Sequence, residues 1–191
     1  MIDQISKQIS RSIETKEKLL QDSEILEAVA ELVSCCLDAL KSGGKIIFCG
    51  NGGSFADAQH LSAEFTARFL FDRAPLASIA LGTNSSTISA ISNDYGYEHV
   101  FSRELESIGK ANDVFIGIST SGNSPNVLAA MEIANKLEMN AVSLTGSTGG
   151  KLAAMGRCIR IPSDDTARIQ ECHILLGHIV CELVEHKYFR E

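Results

Sequence analysis

Five short apolar runs rich in β-forming residues recur along this chain, each set off from the next by a stretch patterned for a helix. They are "KIIFCG" (45–50), "ASIAL" (77–81), "DVFIGIS" (113–119), "NAVSLTG" (140–146) and "CIRIP" (158–162). Helical spacing occupies about 54–70, 84–108 with a break near "NDYGY", 124–138, 148–155 and 166–188. Strands that are apolar on both faces and never paired by a two-residue turn belong to a parallel sheet covered on both sides. Right-handed crossovers then give an α/β fold, a three-layer αβα sandwich around a five-stranded, doubly wound parallel sheet. Residues 1 to about 42 precede that alternation and read as helical. Ile2, Ile5, Ile9 and Ile13 recur at helical spacing, and "SEILEAVAELVSCCLDALKSGG" is a second amphipathic run closed by a glycine pair. No linker or repeat interrupts the chain, so residues 1–191 are expected to form one domain, with the N-terminal helices in the fold or in a subunit interface.

Charge and cysteine usage narrow the functional classes. The formal net charge is −7 and no long basic run occurs, so the electrostatic footprint of a nucleic-acid binder is missing. The N-terminus lacks the apolar core of a signal peptide, and no apolar run is long enough to cross a bilayer, so a cytoplasmic protein without membrane partners is expected. Cys35, Cys36, Cys49, Cys158, Cys172 and Cys181 include no CxxC pair and mostly sit among apolar neighbours. They read as small buried hydrophobes rather than as a disulfide framework.

Ligands of doubly wound folds lie beyond the carboxyl ends of the strands, where strand order reverses. That rule selects three loops. In "STSGNSPN" (119–126), Ser119, Thr120, Ser121 and Ser124 supply hydroxyls, Gly122 permits a tight turn, and Ser124–Pro125 reads as an N-cap followed by proline at the first helical position. A strand, a hydroxyl-rich turn and a helix N-terminus together suit an anion. Without a lysine or the Walker spacing, a monophosphate on a small metabolite fits better than a nucleoside triphosphate. The alternative is a capped turn with solvated serines. "GNGGS" (50–54) repeats the design more weakly: Gly52 and Gly53 allow close backbone approach and Ser54 is placed to cap the next helix, or the loop is a plain glycine turn. "TGSTGG" (145–150) is assigned to turn structure.

His60 and Glu64, four residues apart after "GNGGS", share a helix face, about 40° apart around its axis. On the last helix, "RIQECHILLGHIVCELVE" places Gln170 and His178 eight apart on one broad face. Such pairs on two helices can converge on one metal ion or one substrate, and a His, Glu, His set with a glutamine oxygen is a respectable zinc site. Bare HxxxE is also a common surface pair, and His178, within "ILLGHIVCELV", can equally be a hydrogen-bonded core histidine. His99, His173 and His186 have no partner at suggestive spacing. A base and acid beside a phosphate handle, at one end of one sheet, are what proton abstraction next to a carbonyl needs.

Four segments together, "CGNGGSFADAQHLSAEFTARF", "AISNDYGYEHVFSRELESIG", "ISTSGNSPNVLAAMEIAN" and "ARIQECHILLGHIVCELVE", resemble the sugar isomerase (SIS) family and, within it, the phosphoheptose isomerase branch. The resemblance spans nearly the whole chain. It implies conversion of sedoheptulose 7-phosphate to D-glycero-D-manno-heptose 7-phosphate through an enediol, the first step toward ADP- or GDP-heptose for lipopolysaccharide or capsule. By position it implies phosphate contacts from Ser119, Thr120, Ser121 and Ser124. Sugar contacts fall to Asn51, Gly52, Gly53, Asn93 and Asp94, with Ser54 and Arg68 nearby. Glu64 corresponds to the general base and His178 to the acid, while His60, Glu64, Gln170 and His178 match the family's zinc positions. A homotetramer with active sites at subunit interfaces is implied as well. One position departs: the residue three before the glutamine of "RIQE", an aspartate in some members, is Ala167 here. Rival readings are a non-catalytic relative that binds DnaA, disfavoured by the presence of both Glu64 and His178, another SIS sugar-phosphate isomerase, and a sugar-phosphate-sensing regulator, disfavoured by the lack of a helix-turn-helix region.

Overall fold

A computed structural model describes residues 1–190. Two helices, α1 (Ile2–Gln21) and α2 (Ser23–Lys41), lead into β1 (Ile46–Gly50), α3 (Gly53–Thr66), β2 (Ser78–Ala80), α4 (Ser85–Tyr95), α5 (Val100–Ile108), β3 (Val114–Ile118), α6 (Pro125–Lys136), β4 (Asn140–Thr145), β5 (Arg157–Arg160) and α7 (Thr166–Arg190). All five strands pair in parallel in the order β2-β1-β3-β4-β5. The chain leaves β1 in one direction to β2 and returns on its other side to β3. The crevice between the carboxyl ends of β1 and β3 is therefore the point where the winding reverses, the usual ligand position in such sheets.

The three layers follow from strand periodicity. In β1, Ile46 and Phe48 face one helical layer, while Ile47 and Cys49 face the other. The first layer is α2, α3 and α7, whose Val29, Leu61 and Leu176 pack with Ile116 and Leu144. The second contains α4, α5 and α6, whose Ile91, Phe101 and Met131 close over Phe115. Asp22, whose side chain accepts from the Ile25 N–H, caps α2 and ends the helical N-terminus as one piece. Among the strongly apolar positions of α1, Leu19 is buried, but Ile2, Ile5, Ile9 and Ile13 are all more than half exposed. The isoleucine stripe read from the sequence thus faces away from this chain's own core.

Three expected boundaries shift for identifiable reasons. The 84–108 stretch divides into α4 and α5 around Gly96, whose φ of +94° a side chain would strain, and a short 3₁₀ turn follows at Tyr97–His99. The 148–155 stretch forms only a 3₁₀ turn, Gly150–Ala154. Helix α3 stops at Thr66 rather than near residue 70, because Arg73 folds back to donate to the carbonyls of Glu64 (2.9 Å) and Phe65 (2.7 Å). Arg73 also pairs at 2.8 Å with Glu185 of α7, both side chains being almost fully buried. Glu185 in turn accepts the Phe69 and Leu70 amides, each at 2.7 Å. Burial alone would raise the Glu185 carboxyl, but these amides and the guanidinium outweigh it and hold its pKa below the ordinary value.

Candidate active site

Beyond β3 and β4 the loops build a polar cleft of about 330 Å³, lined by Thr120, Ser121 and Asn123, by Gly146, Ser147 and Thr148, and by Ser163, Asp164 and Thr166. That volume accommodates a phosphorylated sugar. The first loop turns at Gly122 (φ +65°), where a Cβ would overlap the Gly149 carbonyl. The 145–150 loop is therefore pressed against the serine-rich loop, and the Gly146 amide donates to the Thr120 carbonyl at 2.9 Å. The amides of Thr120, Ser121 and Ser124 have no protein acceptor among the described residues, which leaves donors for an anion beside the α6 N-terminus. Ser124 occupies the N-cap position ahead of Pro125 as expected, but its hydroxyl makes no cap bond; it pairs with the buried Ser119 hydroxyl at 2.9 Å. "TGSTGG", assigned to turn structure from the sequence, is in fact a cleft wall, and Asp164 and Ser147 are hydrogen-bonded across it.

The "GNGGS" loop opens α3 with Gly52, not Ser54, at the N-cap, with a φ of +56°. Ser54 is buried at the second helical position. Gly53 lies close to α7: a Cβ there would come within 2.7 Å of Gln170 Nε2. The two helices continue side by side, and Leu61 presses on Gly177, where a Cβ would approach it to 2.5 Å. Ala58, Leu61 and Phe65 turn to the core, which leaves Asp57, His60 and Glu64 as the adjacent stripe of α3.

That stripe meets α7 at His178. His60 Nε2 lies 3.0 Å from Glu64 Oε1 and 3.1 Å from His178 Nε2, and Phe69 stacks at a tilt on the His178 ring with centroids 5.6 Å apart. His60, Glu64 and His178 together offer ligand atoms all within 4.8 Å of one another. One proton on His60 Nε2 cannot serve both neighbours well, whereas a cation placed among two imidazole nitrogens and a carboxylate oxygen can, and that donor set suits Zn²⁺. Sequence reasoning missed Asp57. One of its oxygens is buried with no hydrogen-bond partner, and burial raises its pKa while His60 and His178 pull the other way. Its signal was present, since it stands three residues before His60 on the same face.

Not every expected residue converges. Gln170 is eight residues before His178, about 12 Å along α7, and no hydrogen bond among the described residues links it to these three side chains. Arg68 is exposed just beyond α3 and makes no ion pair among the described residues. Asn93 donates to Asp94 at 2.8 Å on the exposed face of α4, in a shallow groove with Ser85, Ser86 and Ser89 rather than in the cleft. Nor does the His–Glu–His cluster line the cleft: His60 and Glu64 lie seven and eleven residues into α3, about 10 and 16 Å along the helix from its loop. The expectation that base and phosphate loop share one end of the sheet therefore does not hold within a single chain. Near the departing position Ala167, Asp165 accepts the Ala167 amide at 3.0 Å and pairs with Arg11 of α1 at 2.9 Å, so its carboxylate caps α7 instead of facing the cleft.

A doubly wound sheet with a serine-rich anion loop at its winding reversal defines a SIS domain, and the SIS domain family model matches residues 4–146. More narrowly, the chain belongs to the phosphoheptose isomerase family, whose members are isomerases. It is 50% identical over 191 residues to the phosphoheptose isomerase of Aneurinibacillus thermoaerophilus, spanning all of this chain and 96% of that one. The structure of the Neisseria gonorrhoeae phosphoheptose isomerase superposes with a TM-score of 0.88 at 41% identity, over 95% of this chain and 98% of that one. That of a Francisella tularensis phosphoheptose isomerase gives 0.91 at 35% identity, over 97% and 98%.

Proposed function

We propose that this chain converts sedoheptulose 7-phosphate to D-glycero-D-manno-heptose 7-phosphate, feeding ADP- or GDP-heptose synthesis for lipopolysaccharide or capsule. The observation that carries this reading is the convergence of His60, Glu64 and His178 from two helices in a chain that matches phosphoheptose isomerases along its whole length. The hydroxyls of Ser119, Thr120, Ser121 and Ser124, with the free amides of that loop, hold the phosphate. Asn51, Gly52, Gly53, Asn93 and Asp94 contact the sugar, and Arg68 and Gln170 flank it. Glu64 takes the proton from C1 and returns it to C2, while His178 carries the oxygen-bound proton from O1 to O2, so the enediol forms and collapses without net proton change. His60, Glu64 and His178 would hold one Zn²⁺, with Gln170 of a second copy as the fourth donor, and the ion when bound polarises the substrate carbonyl.

Separation of the cluster from the cleft supports a site completed by a second copy in a cytoplasmic homotetramer. The exposed Ile2, Ile5, Ile9 and Ile13 of α1 supply an apolar face for such assembly. The test is turnover of sedoheptulose 7-phosphate by purified protein, with and without added zinc; no turnover in either condition sinks the proposal. Zinc is expected to raise the melting temperature of wild-type protein but not of His60→Ala. Mixed assemblies of Glu64→Gln subunits with Thr120→Ala/Ser121→Ala subunits are expected to regain activity, and persistent inactivity would place each whole site in one chain.

A further inference from the structure

Across the crevice where the winding reverses, two side-chain amides form a closed pair. Asn51, which directly follows β1, donates from Nδ2 to Asn126 Oδ1 at 2.8 Å, and Asn126, second in α6, donates from its own Nδ2 to Asn51 Oδ1 at 2.9 Å. Tyr97, in the turn between α4 and α5, donates its hydroxyl to the same Asn51 oxygen at 3.3 Å. Asn126 is 2% exposed, so its amide is committed to the pair.

Counting valences gives the consequence. A carboxamide oxygen has two acceptor positions and its nitrogen two hydrogens. Both acceptor positions of Asn51 are taken, one by Asn126 and one by Tyr97, and one of its hydrogens is given to Asn126. One N–H remains, with no acceptor among the described residues. Turning the Asn51 amide over by itself would set nitrogen against nitrogen and oxygen against oxygen across the pair, so neither amide turns without the other. In this orientation Asn51 meets a ligand as a donor only.

We propose that Asn126 is a positioning residue that fixes Asn51 as a preset N–H donor toward an oxygen of the substrate that gains negative charge during isomerisation. This rests on the isomerase reading above. As the enediol forms, charge builds on the oxygens at C1 and C2, and a donor already aimed there stabilises the transition state without reorganising. Because Asn126 sits two residues after Ser124, the same pair also sets the distance between the sugar-contacting loop and the phosphate handle. An amide at this position is required for its two-way bonding: a carboxylate keeps the acceptor and loses the donor, and an alkyl group loses both.

The experiment compares wild type with Asn126→Asp, which is nearly isosteric, Asn126→Ala and Tyr97→Phe. Steady-state kinetics with the sugar phosphate are read beside competitive inhibition by inorganic phosphate and thermal unfolding. Removal of an oxyanion donor costs about 10²–10³ in kcat, and loss of its positioning partner is expected to lower kcat at least about ten-fold while the inhibition constant for phosphate stays within about two-fold. Tyr97→Phe, at an exposed residue, is expected to lower kcat less, with phosphate inhibition unchanged. Unaltered kcat in all three variants, or a kcat that falls only in step with phosphate affinity and melting temperature, overturns the inference. An activity-independent reading comes from ¹⁵N NMR of wild-type protein: one Asn51 side-chain hydrogen is expected to exchange slowly and the other fast, and equal rates overturn it. Inactive wild-type protein with unequal exchange rates defeats the isomerase reading while the amide geometry stands; active wild type with unaffected variants defeats the positioning role alone.

Discussion

The anion cleft and the α3–α7 seam are built in opposite ways. The cleft is made of loops, and its polar groups, hydroxyls, amides and the Asp164 carboxylate, come from three short stretches, 120–123, 146–148 and 163–166. The seam is made of two helices, and its groups are two imidazoles and a carboxylate. Its members His60 and His178 are separated by 118 positions yet meet at 3.1 Å. A cleft of the first kind binds largely through hydroxyls and amides supplied by loops; a seam of the second kind depends on helix placement within fractions of an ångström. Under the proposed function, binding and chemistry are separable.

The strongest way to separate them is Glu64→Gln. Loss of general base catalysis is expected to lower turnover by about 10³-fold or more, with the oligomer and competitive binding of inorganic phosphate retained; phosphate binding lost together with turnover would mean that the two regions are not independent. Next in size is Arg73→Met, which strands the buried Glu185 carboxylate and frees the end of α3. Breaking a buried pair from one side costs about 3–5 kcal/mol, measurable by denaturant unfolding, and a loss below about 1 kcal/mol would show that the seam is held by apolar packing alone.

Acid sharpens the comparison further, because a histidine ties the seam helix to the cleft. His173 of α7 is fully buried and donates from Nε2 to the Thr145 carbonyl at the end of β4, at 3.1 Å, while its Nδ1 has no partner. Burial lowers its pKa from 6.5 to about 4. The unfolded chain therefore binds a proton that the native state refuses between those values, so stability is full above pH 6.5 and falls as pH drops toward 4. The loss is expected to reach about 3 kcal/mol, and the slope should largely vanish in His173→Gln. Glu185, whose folded pKa is depressed, adds a loss confined to pH below its ordinary value. A stability curve flat from pH 7 to 4 would contradict the neutral buried imidazole. The smallest effect is expected from Ser124→Ala at the start of α6, beside the cleft. One neutral hydrogen bond among several is worth about 1 kcal/mol, seen as a several-fold rise in KM with kcat unchanged.

How much of this was legible differs between the two regions for the same reason. "STSGNSPN" could be read as an anion loop because its strand, turn and helix start are adjacent in the chain and each carries a local signal. Its exact bonding was not legible: Ser124 looks like a capping serine, and only the neighbouring Ser119 hydroxyl diverts it. "TGSTGG" was passed over because nothing within it shows that Gly149 lies against Gly122. In the seam, HxxxE gave a shared face, and the family resemblance singled out His178. Asp57, Arg73 and Glu185 went unnoticed because a lone charged residue in a helix or loop looks solvated until its partner is known. The Asn51–Asn126 pair was hidden similarly, its members lying 75 residues apart.

The sequence by itself determined what is local. Apolar runs of strand length between helical stretches dictated a parallel sheet covered on both faces, and glycine and hydroxyl residues marked the turns where a ligand is received. Only the tertiary structure decided which distant groups touch. It joined His60 to His178, tied Glu185 to Arg73, turned the isoleucines of α1 outward, and set Glu64 well along a helix from the cleft of its own chain. Local preference depends on residues a few positions apart, whereas a contact across a hundred residues depends on how whole helices pack, at spots as small as the missing Cβ of Gly53 and Gly177.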